Sequence, residues 1–266
     1  MSGAVWPTTA DGRWLVLRTC DADMTSHGGF EWPTEGHVEA PDWDPDPGRE
    51  CGGGLHGLLW GCGNAGLLSA FPGARWLVVA VDPADVADPA RNKVRFRRGE
   101  VVLVGTRDEA VGMIADAAPG LPVVYAVRTG GDESTVTGGY GATVTGGYGA
   151  TVTGGYGARV TGGDRSTVSG GNESTVTGGD WSTVSGGDRS TVTGGDRSTV
   201  TGGRGSTVTG GRGSTVTGGD WSALVVKWWD GFRYRLAVGY VGEDGIEAGV
   251  AYRCDDQGRL VRAVES

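Results

Sequence analysis

The sequence predicts a mainly β fold: a short two-sided β-solenoid between an N-terminal α+β domain and a C-terminal antiparallel β cap. The first observation is an eight-residue pattern that repeats from residue 131 to residue 218, and a fixed period is typical of solenoids. The second is glycine, 53 of 266 residues, without the three-residue period of collagen. The third is ordinary strand-like sequence on both sides. These shifts predict domains at residues 1–130, 131–222 and 223–266.

Charge and hydropathy exclude several classes of protein. The net charge of −9 at pH 7 gives the chain no electrostatic reason to bind nucleic acid. No apolar run approaches the about 18 residues of a membrane span. The first residues lack the basic start and apolar stretch of a signal peptide, so we expect a cytoplasmic protein. Four cysteines in such a chain are more typical of thiols or metal ligands than of disulfides.

The N-terminal domain is predicted from strand-like and helical segments. A helix is expected at 105–120, because Thr106 followed by Glu109 forms a capping box. A second helix is expected at 54–70, where apolar residues have helical spacing despite several glycines. Together the segments predict an α+β domain. The expected strands are residues 13–18, 75–81, 93–98, 100–107 and 121–128.

Residues 19–54 carry no periodicity, and an aperiodic stretch of this length in a compact domain is commonly functional or held in place. All three histidines and three of the four cysteines lie in it or just after it. Since zinc prefers these ligands, one hypothesis is a structural zinc site. The alternative is chance placement, because no C-x-x-C or H-x-x-x-H spacing is present. The candidate ligands are Cys20, His27, His37, Cys51, His56 and Cys62.

An enzymatic alternative rests on the tripeptide Gly54-Leu55-His56. With the helix expected after it and the strand at 75–81, it resembles the small α+β fold of ADP-ribosyltransferases, in which a histidine contacts NAD. The resemblance implies His56 as that residue, with His27 as the alternate, and the solenoid as a spacer. No catalytic glutamate can be assigned, and neither a Gly-rich phosphate motif nor a nucleophile elbow is present.

The repeat has the pattern Gly-x-x-Ser/Ala-Thr-Val-Thr/Ser-Gly, with Arg159 replacing one threonine. Eleven units run from residue 131 to residue 218, and a degenerate twelfth, GDWSALVV, spans 219–226. The second and third places of each unit vary freely. The sixth place is always valine, at Val136, Val144, Val152, Val160, Val168, Val176, Val184, Val192, Val200, Val208 and Val216.

The pattern predicts the geometry of each coil. Ser-Thr-Val-Thr has β-branched residues at three of four places, which favours a strand. Alternation sends valine and the small fourth residue inward and the two threonines outward. The glycine pair is expected to supply the backbone conformations of a corner. Each octad is therefore a half-coil, and two octads close a flat coil of sixteen residues.

Two units, GYGATVTG at 139–146 and at 147–154, are similar to the repeats of bacterial ice nucleation proteins, whose coils combine Gly-Tyr-Gly-Ser/Ala-Thr with a Thr-x-Thr strand. The resemblance covers about a third of the chain. This repeat differs in its Gly-Gly at every corner and in its three tyrosines, Tyr140, Tyr148 and Tyr156. That family has very long arrays, whereas this solenoid would be about 26 Å long at about 4.8 Å per coil.

Alternate octads lie on the same side, so the outward threonines form two columns on each face. The columns are about 6.7 Å apart and the rungs about 4.8 Å apart. Such arrays resemble ice-binding surfaces, which order water. One face is interrupted by Arg159, and the other has serine at Ser169 and Ser185. The water-facing residues expected on this second, more complete face are Thr135, Thr137, Thr151, Thr153, Thr167, Thr183, Thr199, Thr201, Thr215 and Thr217.

Two other interpretations of these faces stay open. Threonine is a good outward residue for any strand, and neighbouring threonines can pair with each other. Calcium-binding β-rolls have nonapeptides with aspartate at fixed places, whereas this period is eight. The corner pairs such as Asp188–Arg189 are expected to stack as ladders of alternating charge, worth about 0–1 kcal/mol each.

The ends of an open solenoid expose strand edges, so caps are expected. An antiparallel meander is predicted, with a tight turn at Asp230-Gly231. Trp228, Trp229, Phe232 and Tyr234 are expected either to cover the apolar end of the stack or to form an association surface. Trimeric β-rolls also use short Gly-rich strands, so the number of chains stays open. The meander strands are expected at residues 223–229, 232–241, 246–254 and 259–264.

The sequence therefore predicts a non-enzymatic structural or binding protein. Its repeats are expected to form a rigid scaffold, and the best-motivated activity of the outward threonines is ordering of water or binding of ice. The alternative function is the NAD-using enzyme. No cofactor is expected beyond the zinc hypothesis. The expected partners are water or ice and other copies of the chain, bound through solenoid faces or end caps.

Overall fold

The computed structural model describes residues 6–46, 52–69, 71–87 and 93–263. The chain forms two compact units, Met1–Ala126 and Val127–Ser266. The first contains an antiparallel sheet with one α-helix, and the second contains the repeat with its cap. Within the described residues, no helix combines the length and the apolar character needed to cross a lipid bilayer.

The strands of the first unit are β1 (Trp14–Cys20), β2 (Thr25–Ser26), β3 (Phe30–Glu31), β4 (Gly36–Glu39), β5 (Leu55–Leu59), β6 (Arg75–Val81), β7 (Val86–Ala87), β8 (Lys93–Phe96) and β9 (Arg98–Gly105). Seven of them form one antiparallel sheet in the order β4-β9-β6-β1-β5-β8-β7, and β2 pairs with β3 as a separate hairpin. The helices are α1 (Arg107–Ala117) and the short 3-10 helices His27–Gly29, Ala65–Leu67 and Pro83–Asp85. An antiparallel sheet with a segregated helix confirms the α+β prediction.

Helix α1 begins at the predicted capping box. The Thr106 Oγ1 accepts a hydrogen bond from the Glu109 N–H at 3.3 Å, and the Glu109 carboxylate accepts one from the Thr106 N–H at 2.8 Å. These two bonds satisfy N–H groups that a helix start leaves free. The buried side of the helix, which includes Val111 and Ile114, packs on β1, β6 and β9.

Residues 54–70 do not form the predicted helix, because their first half is strand β5. Gly57 lies so close to β1 that a Cβ atom would stand 2.3 Å from Val16 Cγ1. After the strand, Trp60 and Gly61 have φ angles of 51° and 60°, which end it in a turn that no right-handed helix contains. The apolar spacing misleads here because a short apolar run fits a helix and a buried strand equally well.

Two other segments differ from expectation. The strand predicted at 121–128 is wrong over most of its length: Val123 forms one isolated bridge with Cys62, and Tyr125 turns the chain with a φ of 57°. Residues 19–54 contain β2, β3 and β4, and β4 pairs along β9 at one edge of the sheet. The mixed polarity of so short an edge strand hides it from periodicity.

The strands of the solenoid are β10 (Val127–Thr129), β11 (Thr135–Thr137), β12 (Thr143–Thr145), β13 (Thr151–Gly154), β14 (Arg159–Thr161), β15 (Thr167–Gly170), β16 (Thr175–Thr177), β17 (Thr183–Gly186), β18 (Thr191–Thr193), β19 (Thr199–Gly202), β20 (Thr207–Gly210), β21 (Thr215–Gly218) and β22 (Ala223–Trp229). The even-numbered strands form one parallel sheet, called sheet 1, and the odd-numbered strands form another, called sheet 2. Val136 pairs with Val152 and Val144 with Val160, which confirms the sixteen-residue coil. Strand β10 precedes the recognisable repeat because its octad lacks the motif, yet Arg128 pairs in register with Val144.

The cap closes each sheet separately. Strand β23 (Tyr234–Tyr240) pairs antiparallel with β22 in sheet 1. Strands β24 (Ala251–Cys254) and β25 (Leu260–Arg262) follow β21 in sheet 2. The strands are antiparallel as predicted, but they do not form a single meander, because the turn after β23 crosses from one sheet to the other.

Three of the four residues predicted to cover the end of the valine stack do not do so. Phe232 is 90% exposed at the hairpin tip, and Trp229 and Tyr234 are about half exposed. Trp228 is only partly buried, beside Gly258. Alternation along β22 and β23 directs the rings of Trp229 and Tyr234 to the outer surface of sheet 1, whereas Trp228 lies on the same side as the buried Leu224 and Val226. The buried side chains that continue the core are Leu224, Val226, Val241, Ile246 and Tyr252.

Candidate functional site

The interior of the solenoid consists of valines and small residues. All eleven repeat valines are buried, and nine of them have no exposed surface. The fourth place is alanine or serine, and every serine from Ser166 to Ser222 at this place is at most 2% exposed. Each valine lies in register with the valine one coil away. This close packing fixes the spacing of the coils, and with it the spacing of the outer surface.

The buried serines are hydrogen-bonded, so they cost little in the apolar interior. The carbonyl of Gly163 accepts the hydroxyl of Ser166 at 2.6 Å and that of Ser182, one coil further, at 3.2 Å. The hydroxyl of Ser190 in turn accepts the N–H of Ser174 at 3.3 Å. These bonds join consecutive coils, a role that the small size of the fourth residue alone does not reveal.

The glycine pair is required by space and not by backbone conformation, so that part of the prediction is wrong. A Cβ atom on the first glycine, for example Gly178, would lie 2.5 Å from Cγ2 of Val184 on the facing strand. A Cβ atom on the second, for example Gly155, would lie 2.7 Å from the carbonyl carbon of Gly139 in the neighbouring coil. Apart from Gly131 at the start of the array, which has open space around it, the interior and the coil spacing are therefore too tight for a side chain at these two places.

The left-handed conformation of each corner occurs at the variable third place. It is adopted by glycine in units such as that of Gly157, with φ of 64°, and by larger residues such as Arg165 and Trp181, with φ of 56° and 60°. This conformation costs a non-glycine residue about 1–2 kcal/mol. The Arg165 N–H donates to the Asp180 carbonyl at 2.8 Å, and such bonds between coils hold the corner despite that cost.

The second place of the corner carries an aspartate ladder instead of the expected alternating charges. The Asp164 Oδ1 accepts the N–H of Asp180 at 2.9 Å, and Asp180 does the same for Asp196 at 2.7 Å. Asn172 accepts the N–H of Asp188 in the same way. The sequence signal is an Asp or Asn at the second place of the unit, whose side chain accepts the N–H of the residue sixteen positions later. The interpretation based on charge overlooked it.

The arginines of the corners pack mainly on aromatic rings. The Arg197 guanidinium lies 4.6 Å from the ring centre of Trp181, and that of Arg204 lies 4.2 Å from that of Trp221. Arg189 forms a salt bridge with Glu173 at 2.7 Å. These are exposed contacts of modest energy, so they support the corners without forming a site.

Sheet 2 presents the more regular threonine surface. Its outward side chains stand in two columns, and each rung is in parallel register with the next, as in Thr167 with Thr183 and Thr183 with Thr199. All ten threonines named in the sequence analysis are exposed or half-buried. The parallel pairing of identical residues repeats the same hydroxyl and methyl groups along the sheet.

The hydroxyls of this surface are available to water. Ser169 donates to the Thr153 Oγ1 at 3.3 Å. Among the described residues, the other nine threonines of sheet 2 form no side-chain hydrogen bond within the protein. Neighbouring threonines therefore do not pair with each other along the columns. Such pairing is what the interpretation of the faces as ordinary strand surfaces would allow.

Sheet 1 is less regular. Arg159 pairs in register between Thr143 and Thr175 and projects from the middle of one column. Ala223 of β22 takes the threonine position next to Thr207. A long charged side chain in a flat column prevents close contact with a planar surface, so sheet 2 is the candidate functional face.

The proposed zinc ligands whose side chains the structure describes do not form a metal site. In the described part of the chain, no group of three or more His, Cys, Asp or Glu side chains is placed to hold a metal ion. Cys20 is buried at the end of β1, where burial raises the pKa of its thiol, and Cys62 donates to the Trp60 carbonyl at 3.4 Å. His37 is exposed on β4, 3.7 Å from the Glu39 carboxylate. Cys51 and the side chain of His27 lie outside the described residues.

His56, the catalytic candidate, lies on β5 beside a cavity of about 700 Å³ that is also lined by Arg18, Asp42 and Lys93. Burial, followed by the charges of Lys93 and Arg18, lowers the pKa of His56. Burial also lowers the pKa of Arg18 to about 10. The Arg18 guanidinium lies 4.1 Å from the ring centre of Trp32. Among the described residues, no carboxylate forms a salt bridge with Arg18 or Lys93.

Comparison with known proteins gives one consistent result. The chain is 46% identical over 103 residues to the ice nucleation protein of Pseudomonas fluorescens, which covers 38% of this chain and 8% of that protein. It is 39% identical over 133 residues to ice nucleation protein InaU of Pantoea ananas, and the match covers 45% of this chain and 13% of that protein. It is 39% identical over 137 residues to the ice nucleation protein of Enterobacter agglomerans, and the match covers 46% of this chain and 11% of that protein. The predicted resemblance of the repeat is thereby confirmed.

The chain spans between 8% and 13% of the length of these three relatives. No protein-family model matches it. No solved structure matches it either.

Proposed function

We propose that sheet 2 binds ice through its threonine columns and that the solenoid is the rigid scaffold of this surface. The observation that carries the proposal is the set of nine in-register threonines whose hydroxyls form no side-chain hydrogen bond within the described residues. Rungs about 4.8 Å apart and columns about 6.7 Å apart hold hydroxyls and methyls in a fixed, repeating order. The names of the similar proteins agree with an activity toward ice.

Rigidity supports the proposal, because a surface that orders water must already be ordered itself. The buried valines, the serine bonds and the aspartate ladder each connect one coil to the next. Little conformational entropy is therefore left for the surface to lose on binding. With six rungs in sheet 2, the surface is small, so we expect weak ice binding.

The test is thermal hysteresis and ice-crystal shape, measured with purified protein. We expect measurable hysteresis or faceted crystals for the wild type and neither for Thr167→Lys with Thr183→Lys. Both side chains point outward, so the variant should fold and differ only at the surface. The matched control is Thr175→Lys with Thr191→Lys on sheet 1, which adds the same charge in the same register and should keep the activity.

The proposal fails if the wild type neither shapes ice nor shows hysteresis. It fails equally if the two double variants lose activity to the same extent, because charge alone would then explain the effect. Melting curves of both variants establish that each remains folded.

A second candidate function concerns the first unit alone. We propose that the cavity beside His56 binds a nucleotide such as NAD, since Arg18 and Lys93 line it without a carboxylate salt bridge among the described residues. Its volume of about 700 Å³ is within the roughly 300–1,000 Å³ of ligand sites. Titration calorimetry with NAD should show binding that Arg18→Gln with Lys93→Gln abolishes. The exposed Arg107→Gln is the control, and an absence of heat with the wild type contradicts the proposal.

A further inference from the structure

Strand β23 ends sheet 1, and within the described residues no strand pairs with its far edge. The Val241 N–H donates to the Ser222 carbonyl at 2.9 Å, so these two residues form a hydrogen-bonded pair. Antiparallel pairs alternate between bonded and non-bonded types. The next pair, Tyr240 with Ala223, is therefore non-bonded, and so is every second pair along β23.

The alternation identifies which backbone groups face outward. Tyr234, Leu236, Val238 and Tyr240 occupy the non-bonded positions opposite β22. Their N–H and C=O groups consequently point away from β22, toward the free edge. The edge thus offers donors and acceptors along the strand, except that the Tyr240 carbonyl already accepts the N–H of Glu243 at 3.0 Å.

The same four residues have exposed side chains. Tyr234, Leu236, Val238 and Tyr240 are 49%, 62%, 52% and 53% exposed, and they share the outer side of the sheet. Trp229 and Phe232 extend the apolar surface. Natural edges are normally protected by lysine, proline, a bulge or short length. Strand β23 has seven residues without lysine or proline, and its seven pairs with β22 run without a register shift.

We propose that a second copy of this chain pairs antiparallel with β23, edge to edge. Two identical antiparallel strands satisfy a two-fold axis, which the register places at Ala237. Tyr234 then pairs with the partner's Tyr240, and Leu236 with the partner's Val238. In this register each residue whose N–H and C=O face the edge meets another such residue. Because the Tyr240 carbonyl is already bonded in each chain, about six hydrogen bonds form across the axis.

The exposed apolar surface near the edge approaches the size of a dimer interface. Taking aromatic side chains at about 150–250 Å² each, the four rings at their exposed fractions present roughly 500 Å² per chain, and Leu236 and Val238 add to it. A standard interface buries about 800 Å² per partner. Two of the nearby charged side chains already have a contact: Arg235 contacts the Asp230 carboxylate, and Lys227 lies 4.4 Å from the ring centre of Tyr234. In the proposed register Arg235 pairs with the partner's Gly239, so the two copies of Arg235 do not meet.

Pairing through β23 would join sheet 1 of both chains into one continuous sheet. The two solenoids would then extend in opposite directions from the shared edge. This inference uses only the cap and does not depend on whether sheet 2 binds ice. It assigns the exposed aromatic residues of the cap to association instead of to covering the stack.

Sedimentation equilibrium of the full chain over a concentration series tests the inference. We expect twice the chain mass at high concentration. Leu236→Lys with Val238→Lys should raise the dissociation constant at least about 100-fold, since it places charges at the centre of the interface. Val238→Pro should act similarly, because it removes an N–H that faces the edge and leaves the bonds to β22 in place.

The control is Thr175→Lys with Thr177→Lys, which adds the same charge to the outer side of sheet 1 away from the edge. It should dimerise like the wild type. Far-UV circular dichroism establishes folding, and the lysine variant decides the matter if the proline variant is unfolded. A wild type that keeps the chain mass at roughly 100 μM, or lysine substitutions in β23 that leave the dissociation constant unchanged, overturns the inference.

Discussion

The replacement of one interior valine by aspartate tests the inward and outward assignment of the repeat. Val184 has no exposed surface. It pairs in register with Val168 and Val200 of the neighbouring coils. A Cβ atom added to Gly178 on the facing strand would lie 2.5 Å from the Cγ2 of Val184. The facing strand therefore leaves no room for water beside this valine. An aspartate at this place would bury a carboxylate without a partner.

The expected loss of stability has two parts. Burial of a valine side chain contributes about 1.5–3 kcal/mol. An uncompensated buried charge costs about 3–5 kcal/mol more. For a unit of this size, 1 kcal/mol corresponds to roughly 2–4 °C in melting temperature. Val184→Asp should therefore lower the melting temperature of the solenoid by at least about 10 °C or prevent folding.

The control is Thr183→Asp, one residue away on the same strand. Thr183 is exposed on sheet 2, and a surface substitution of this kind costs under about 1 kcal/mol. Melting followed by circular dichroism at a strand-sensitive wavelength compares the two variants with the wild type. Equal shifts for Val184→Asp and Thr183→Asp would refute the assignment of valine to the interior.

Three further predictions concern the corners and the cap. Gly155→Ala should lower the free energy of unfolding by about 3 kcal/mol, because it overpacks against the backbone of Gly139. Gly157 has open space around it and a φ of 64°, so Gly157→Ala should cost only about 1 kcal/mol. Equal melting temperatures of the two variants would contradict this. Asp196→Ala should cost about 1 kcal/mol, because its Oδ1 accepts the N–H of Arg212 at 2.8 Å, and Asp196→Asn should melt like the wild type. The N–H groups of Arg233 and Phe232, followed by Arg235, lower the pKa of Asp230 to about 2. Since the folded-state pKa is depressed, its stabilising contribution is present above the unfolded value of 3.8 and is lost as the pH falls toward about 2; an NMR titration of the carboxyl group should show this low midpoint, and a midpoint near 3.8 would contradict it.

Much of the solenoid could be predicted because its signal is repeated eleven times. Strict valine at one place and threonine on either side determine which side chains point inward. The reasons for the glycine pair could not be found in the same way. Glycine at a corner suggests a left-handed turn, but the constraint at Gly178 and Gly155 comes from strands and coils that are distant in sequence. The left-handed residue is instead at a variable place, where Arg165 and Trp181 conceal it.

The first unit and the cap gave weaker signals. The capping box at Thr106 is local, and it was predictable for that reason. Strand β5 was not, because its apolar residues fit two periods and the close approach of Gly57 to β1 is a tertiary contact. In the cap, the strands could be predicted individually, except that the strand predicted at 246–254 begins only at Ala251. The crossing between sheets after β23 could not be predicted.

For the candidate site, the sequence indicated which threonines face outward but not whether their hydroxyls are free. Whether a hydroxyl is free depends on the distance between rungs and on the rotamers of neighbouring side chains, which only the three-dimensional structure shows. The cavity beside His56 could not be predicted from the sequence either. Arg18 and Lys93 are distant from His56 in sequence and come together only through the pairing of β1, β5 and β8.

Binding of ice by sheet 2 is tested most directly by the partition of labelled protein into a slowly growing ice front. The wild type and the control Thr175→Lys with Thr191→Lys should be enriched in the ice fraction over a protein of similar size without threonine columns. Thr167→Lys with Thr183→Lys should remain in the liquid. Exclusion of the folded wild type from ice, or equal enrichment of the Thr167 and Thr183 variant, would contradict ice binding through sheet 2.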